Sequence, residues 1–116
     1  MVPFRIESGE ETGGVATVIL SGRLNAASAP EAKGWLKALV GSGSKNLVLD
    51  LGGLTFIDSS GLSALVAGYR ASAELGGNLK LAAMESQVFQ VFALTHLDRV
   101  FEIFGTVEAA LASFAR

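Results

Sequence analysis

The sequence predicts one α/β domain over residues 1–116: a mixed, mostly parallel sheet of four to five strands with an N-terminal antiparallel edge strand, packed with about four helices. Two patterns carry this expectation. Short apolar, β-branched runs alternate along the chain with segments whose apolar residues recur at i, i+3, i+4 and i+7. Such alternation implies parallel strands joined by right-handed helical crossovers. The first two runs depart from it, being separated only by a glycine-bearing turn, so they form a hairpin. Length agrees, since a chain of 116 residues has room for one self-supporting core.

The elements follow in order. Phe4 to Glu7 is a weak first strand, and Glu10-Glu11-Thr12-Gly13-Gly14 turns the chain into the apolar strand Val15 to Leu20, which Ser21-Gly22 closes. Ser28-Ala29-Pro30-Glu31 has the form of a capping box, and Ala32, Trp35, Leu36 and Leu39 share one face of a helix from about Ala29 to Val40. Leu47 to Leu51 is a short apolar run between glycine-bearing turns, as expected of a central strand covered on both faces. Gly52-Gly53 reads as the turn after it, followed by the apolar stretch Leu54 to Ile57. Leu62, Leu65, Val66 and Tyr69 then line a second helix, capped by Asp58, Ser59 or Ser60 and ended by Gly76-Gly77. Leu79 to Ala83 is the next strand, and Ser86 opens a third helix presenting Val88, Val91 and Phe92. A short strand near Phe101 to Phe104 precedes a last helix, capped by Thr106 and carrying Val107, Ala110, Leu111 and Phe114.

Composition excludes several function classes. Half of the residues are hydrophobic and 17% are charged, so the chain can offset its ordering entropy by burial, and part of its apolar area should remain exposed for a partner. The same surface leaves a homo-oligomer open. A net charge of -2 with nine scattered Lys and Arg residues provides no basic stripe for nucleic acid. Without cysteine, and with His96 as the single histidine, there is neither a disulfide nor a histidine-cysteine metal site, and no cofactor is expected. Met1 to Glu7 has no leader pattern and no segment reaches the roughly eighteen apolar residues of a membrane span, so no direct membrane insertion and a cytoplasmic location are expected.

The informative segment is Leu47 to Leu65, LVLDLGGLTFIDSSGLSAL. Taken alone, Asp58-Ser59-Ser60-Gly61 before an apolar helix is a cap and a turn. In its surroundings, however, it resembles the STAS family, the sulfate-transporter and anti-sigma-antagonist domains. The likeness extends over Leu20-Ser21-Gly22-Arg23-Leu24-Asn25, Ser28-Ala29-Pro30-Glu31, Gly76-Gly77-Asn78-Leu79 and Phe92 to Phe101, nearly the whole chain.

The resemblance implies a non-catalytic anti-sigma factor antagonist. Ser59 matches the family's phosphate acceptor, with adjacent Ser60 as runner-up, and the partners implied are an anti-sigma factor serine kinase and a phosphatase. The partner-binding surface would comprise Asn25, Ser28, Asp58, Ser59, Ser60, Gly61 and Leu62. The chain departs from the family at Asn25, where an aspartate is common, and at His96, where Leu-Thr-Gly-Leu often has glycine; here Leu94-Thr95-His96-Leu97 would need a histidine that tolerates positive φ. A physical reading agrees with the switch: a hydroxyl on a helix's first turn is accessible, the helix dipole partly compensates a phosphate, and the added charge opposes a partner fitted to the neutral form.

Other functions find less in the sequence. A standalone STAS domain can instead serve as a non-catalytic subunit of a lipid-transport ABC ATPase complex, and the intact Asp-Ser-Ser-Gly favours the switch over that role. A hydrolase built from Ser59 or Ser60, His96 and Asp98 or Asp50 lacks a G-x-S-x-G elbow. Gly41-Ser42-Gly43-Ser44 and Gly52-Gly53 lack the lysine of a phosphate-binding loop.

Overall fold

A computed structural model describes residues 3–115; Met1 and Val2, which belong to the segment read for a leader, and Arg116 lie outside the described residues. Five strands and four α-helices alternate as β1 (Arg5–Thr12), β2 (Val15–Leu24), α1 (Ala29–Gly41), β3 (Asn46–Ile57), α2 (Ser59–Glu74), β4 (Asn78–Ala82), α3 (Ser86–Leu94), β5 (Ile103–Phe104) and α4 (Val107–Phe114). A 3₁₀ turn at Leu97–Arg99, which no sequence pattern announced, joins α3 to β5. The sheet order is β1-β2-β3-β4-β5, with β1 antiparallel to β2 and the remaining pairs parallel.

This order dictates where the helices go. Each crossover steps the chain one strand further in the same direction, and crossovers of one hand then place their helices on one face of the sheet. Accordingly Leu36, Leu65 and Phe92 from α1, α2 and α3 join Val18, Leu20, Leu47, Leu49, Leu79 and Leu81 in one core. The intervening strand residues Val15, Val48 and Ala82 face the other way and pack with Ala110 of α4. Because β3 and β4 are covered on both faces, they read as continuous apolar runs rather than as an alternation.

Lys80 is the exception on β4. Its side chain is buried beneath α4, where the ammonium donates to Ser113 Oγ at 2.7 Å, lies 4.1 Å from the centre of the Phe114 ring and is 3.7 Å from Glu102. The aliphatic stem fills apolar space while the cation finds a hydroxyl, a ring face and a carboxylate, so one strand residue ties α4 to the sheet.

Several boundaries differ from the sequence reading. β1 runs on to Thr12, and the turn shrinks to Gly13 and Gly14, both at positive φ. Ser8 to Thr12 is exposed on both sides of an edge strand, which leaves no apolar alternation to detect. Gly52-Gly53 is not a turn, since β3 continues through it to Ile57. Between the pairs Ile19–Asp50 and Leu24–Ile57, β3 contains two more residues than β2 and accommodates them as bulges. A Cβ at Gly53 would stand 2.8 Å from Ser21 Cβ, so glycine permits close strand approach here. β4 stops at Ala82 because Ala83 takes φ 65°.

The capping box at Ser28 does not form. Ser28 is itself helical at φ -99°, ψ -17°, and its hydroxyl makes no cap bond, donating instead to the Arg23 carbonyl at 2.7 Å. Thr106 does cap α4, accepting from Ala109 N–H at 3.1 Å. On α2, Ser72 is fully buried and its Oγ has no hydrogen-bond partner. Ser72→Ala removes that desolvated hydroxyl and substitutes a better helix former, so stability should rise by about 1 kcal/mol, read as a higher urea midpoint with an unchanged slope.

Candidate functional site

Two strand ends build the site. Leu24 and Ile57 are paired as the last residues of β2 and β3, so Asn25 and Asp58, far apart in sequence, leave the sheet side by side. Asp58 N–H donates to the Leu24 carbonyl at 3.3 Å and fastens the two exits together. Parallel neighbours necessarily end at the same edge of the sheet, which is where α/β domains gather their functional loops.

Asp58 is the N-cap of α2. It is extended at φ -121°, ψ -171°, and its Oδ1 accepts from Gly61 N–H at 3.0 Å. The carboxylate thus satisfies one of the helix's free donors and lies at the positive end of its dipole. Asp58→Ala should cost about 1 kcal/mol of stability, measured by denaturant unfolding. Gly61 sets how close the helix comes to the sheet, for a Cβ there would lie 2.6 Å from the Leu24 carbonyl oxygen and 2.9 Å from Ile57 Cγ1. Only a glycine lets the first turn of α2 press against both strand ends.

The cap leaves its neighbours outside. Ser59 is exposed on the first turn of α2, and Ser60 is half-buried beside it. Gly61 and Leu62 are buried, Leu62 in the main core. Asn25 is half-buried and forms an Asx turn: Oδ1 accepts from Ala27 N–H at 3.0 Å and from Ser28 N–H at 3.3 Å. Ser28 is 8% exposed and accepts from Asn25 N–H at 2.9 Å. Of the seven residues proposed to meet a partner, Ser28, Gly61 and Leu62 therefore shape the site from beneath. Asn25, Asp58, Ser59 and Ser60 reach its surface. An aspartate at position 25 could accept the same two bonds, so the amide preserves the loop and differs from it in charge.

Ser59 and Ser60 open onto a trough that sequence spacing did not reveal. Ser63, Ala67 and Arg70 of α2 line it with Pro30 and Lys33 of α1, and Thr95 and Leu97 enter from the end of α3. A usable signal was present, since Ser59, Ser63, Ala67 and Arg70 follow the helical period on a face of α2 that flanks its apolar stripe. His96, between Thr95 and Leu97, is exposed and precedes the 3₁₀ turn at φ 61°, the left-handed conformation expected of it. Among the described residues no cluster of three or more His, Cys, Asp or Glu side chains could hold a metal, and no helix is long and apolar enough to cross a membrane.

A five-stranded mixed sheet with an antiparallel edge and an Asp-capped helix start beside the β2 exit define a domain class, and the chain belongs to the STAS domain family, whose family model matches residues 8–110. A protein of Bordetella bronchiseptica named "Putative anti-sigma factor antagonist BtrV" is 30% identical over 105 residues, 90% of either chain. The crystal structure of an anti-sigma factor antagonist from Mycobacterium paratuberculosis superposes with a TM-score of 0.84 at 28% identity, covering 97% of this chain and 96% of the other. The Bacillus cell fate determinant SpoIIAA in its phosphorylated form shares the fold, with a TM-score of 0.73 at 18% identity over 95% of this chain and 99% of the other.

Proposed function

We propose that this chain is an anti-sigma factor antagonist controlled by phosphorylation at Ser59. In this reading the unmodified protein occupies an anti-sigma factor kinase through the α2 start and the Asn25 loop, which frees the sigma factor. The kinase transfers the γ-phosphoryl group of ATP to the Ser59 hydroxyl, whose proton is released, and ADP leaves. A phosphatase restores the hydroxyl by hydrolysis. The domain itself performs no catalysis, needs no cofactor and acts in the cytoplasm.

One observation carries this reading: the Ser59 hydroxyl is exposed at the tip of a sixteen-residue helix whose cap is provided by Asp58 rather than by Ser59 itself. Modification therefore breaks no structural bond, and the phosphate arrives at the favourable end of the helix dipole. The added charge, about -1.5 to -2, falls where a partner would have packed against a neutral hydroxyl. The names of the relatives support the antagonist role, and exposure favours Ser59 over half-buried Ser60. Incubation with the anti-sigma kinases of the source genome and ATP, followed by peptide mass spectrometry, should find one phosphate, on Ser59. Phosphate on Ser60 alone would reassign the acceptor, and no modification by any of them would remove the kinase from the account.

A further inference from the structure

The charges around the α2 trough say what chemistry it accepts. α1 and α2 leave the same edge of the sheet from parallel strands, so they run in the same direction. Lys33, one turn into α1, and Ser63, one turn into α2, both line the trough. Arg70 lines it at the far end, eleven residues beyond Ser59, or about 16 Å along the helix axis. Lys33 and Arg70 are the ionisable groups of the lining, and both are cations, in a chain whose net charge is -2. Neither has a carboxylate partner: the ion pairs among the described residues are Arg5–Glu7 and Lys80–Glu102. The nearby Asp58 carboxylate is turned back onto Gly61 N–H, and Asn25 contributes an amide where an acid would have added negative charge. The N-terminus of α2 adds partial positive charge at the same end.

We infer that the trough receives an acidic segment of the partner, with Lys33 and Arg70 as its counter-ions. This inference rests on the antagonist reading and specifies the chemistry of its docking surface. Charge complementarity of this kind fixes partner choice and the rate of encounter. It also explains why modifying one hydroxyl would suffice for release. A phosphate on Ser59 puts a near-dianion at one end of a surface already holding carboxylates, and like charges so placed oppose the complex directly.

The test uses an anti-sigma kinase that binds the unmodified protein, with affinity measured by titration calorimetry at low and high salt. Lys33→Glu and Arg70→Glu should each weaken binding about tenfold or more and flatten its dependence on salt between about 0.05 and 0.5 M. Lys33→Arg should bind as wild type does, and so should Lys45→Glu, which reverses an exposed charge before β3 at the other edge of the sheet. Lys33 and Arg70 are exposed, so unchanged melting temperatures will show that the variants fold. If both reversals bind as wild type while Ser59→Asp is released, the acidic occupant is wrong and the antagonist reading stands. Tighter binding by Lys33→Glu would mean a basic occupant and would also overturn the inference. If Ser59→Asp too binds as wild type, the antagonist reading fails, and the docking chemistry with it.

Discussion

Ser59→Asp is expected to weaken binding of the partner kinase by about a hundredfold or more, whereas Ser59→Ala should bind within a few-fold of wild type and resist phosphorylation. The asymmetry follows from position. Ser59 makes no side-chain hydrogen bond that the fold depends on, because Asp58 supplies the cap, so removing the hydroxyl leaves α2 intact. A carboxylate in its place sets a charge against a surface fitted to a neutral group, and like-charge or desolvation penalties at an interface amount to several kcal/mol. Both variants should melt within a few degrees of wild type, since exposed substitutions rarely change stability by more than about 0.5 kcal/mol. Equal binding by Ser59→Asp and wild type would contradict the switch.

The second large effect concerns the scaffold. Phe92→Ala should destabilise the domain by about 3–5 kcal/mol, because the side chain is fully buried and its ring meets Phe101 edge-on at 5.9 Å. Phe101 in turn meets Tyr69 of α2 at 5.2 Å. These contacts hold α3, the β5 approach and α2 together, and they fix the trough wall formed by Thr95 and Leu97. Thermal unfolding should show a fall on the order of 10–20 °C. Leu94 is the internal control. It is two residues on in the same helix but 82% exposed, so Leu94→Ala should leave stability within about 0.5 kcal/mol of wild type. A similar melting temperature for both variants would mean that α3 does not pack as described.

The legible part of the fold was the part whose apolar periodicity is local. α1, α2, α3 and α4 follow from their i, i+3, i+4 spacing, and β2, β3 and β4 from runs buried by helices. The antiparallel edge followed from the short glycine-bearing connection. The illegible part depends on partners distant in sequence. The bulges that carry β3 through Gly52-Gly53 exist because β2 lies alongside, and glycine pairs announce turns as strongly as they announce close strand approach. Ser28-Ala29-Pro30-Glu31 has the pattern of a capping box, yet the Ser28 hydroxyl is taken up by the Arg23 carbonyl and by Asn25 N–H. Lys80 beneath α4 could not be read at all, since a lysine in a strand ordinarily faces water. At the site, the capped start of α2 at Asp58–Ser60 was legible from a pattern that needs only neighbours, whereas the role of Ser59 is implied by the family resemblance. The adjacency of Asn25 required the β2–β3 register, and the trough required the packing of α1 against α2.

On the antagonist reading, the charge state of one exposed residue at the tip of α2 governs docking while the fold stays the same. The direct measurement compares the protein carrying phosphoserine at position 59 with the unmodified protein, by calorimetric titration into the kinase partner and by amide spectra of each free form. Modification should abolish measurable binding, with spectral changes confined to the first turn of α2 and the Asn25 loop. Equal affinity of the two forms would contradict it, as would loss of binding accompanied by changes throughout the sheet, since the phosphate would then act by unfolding rather than by its charge.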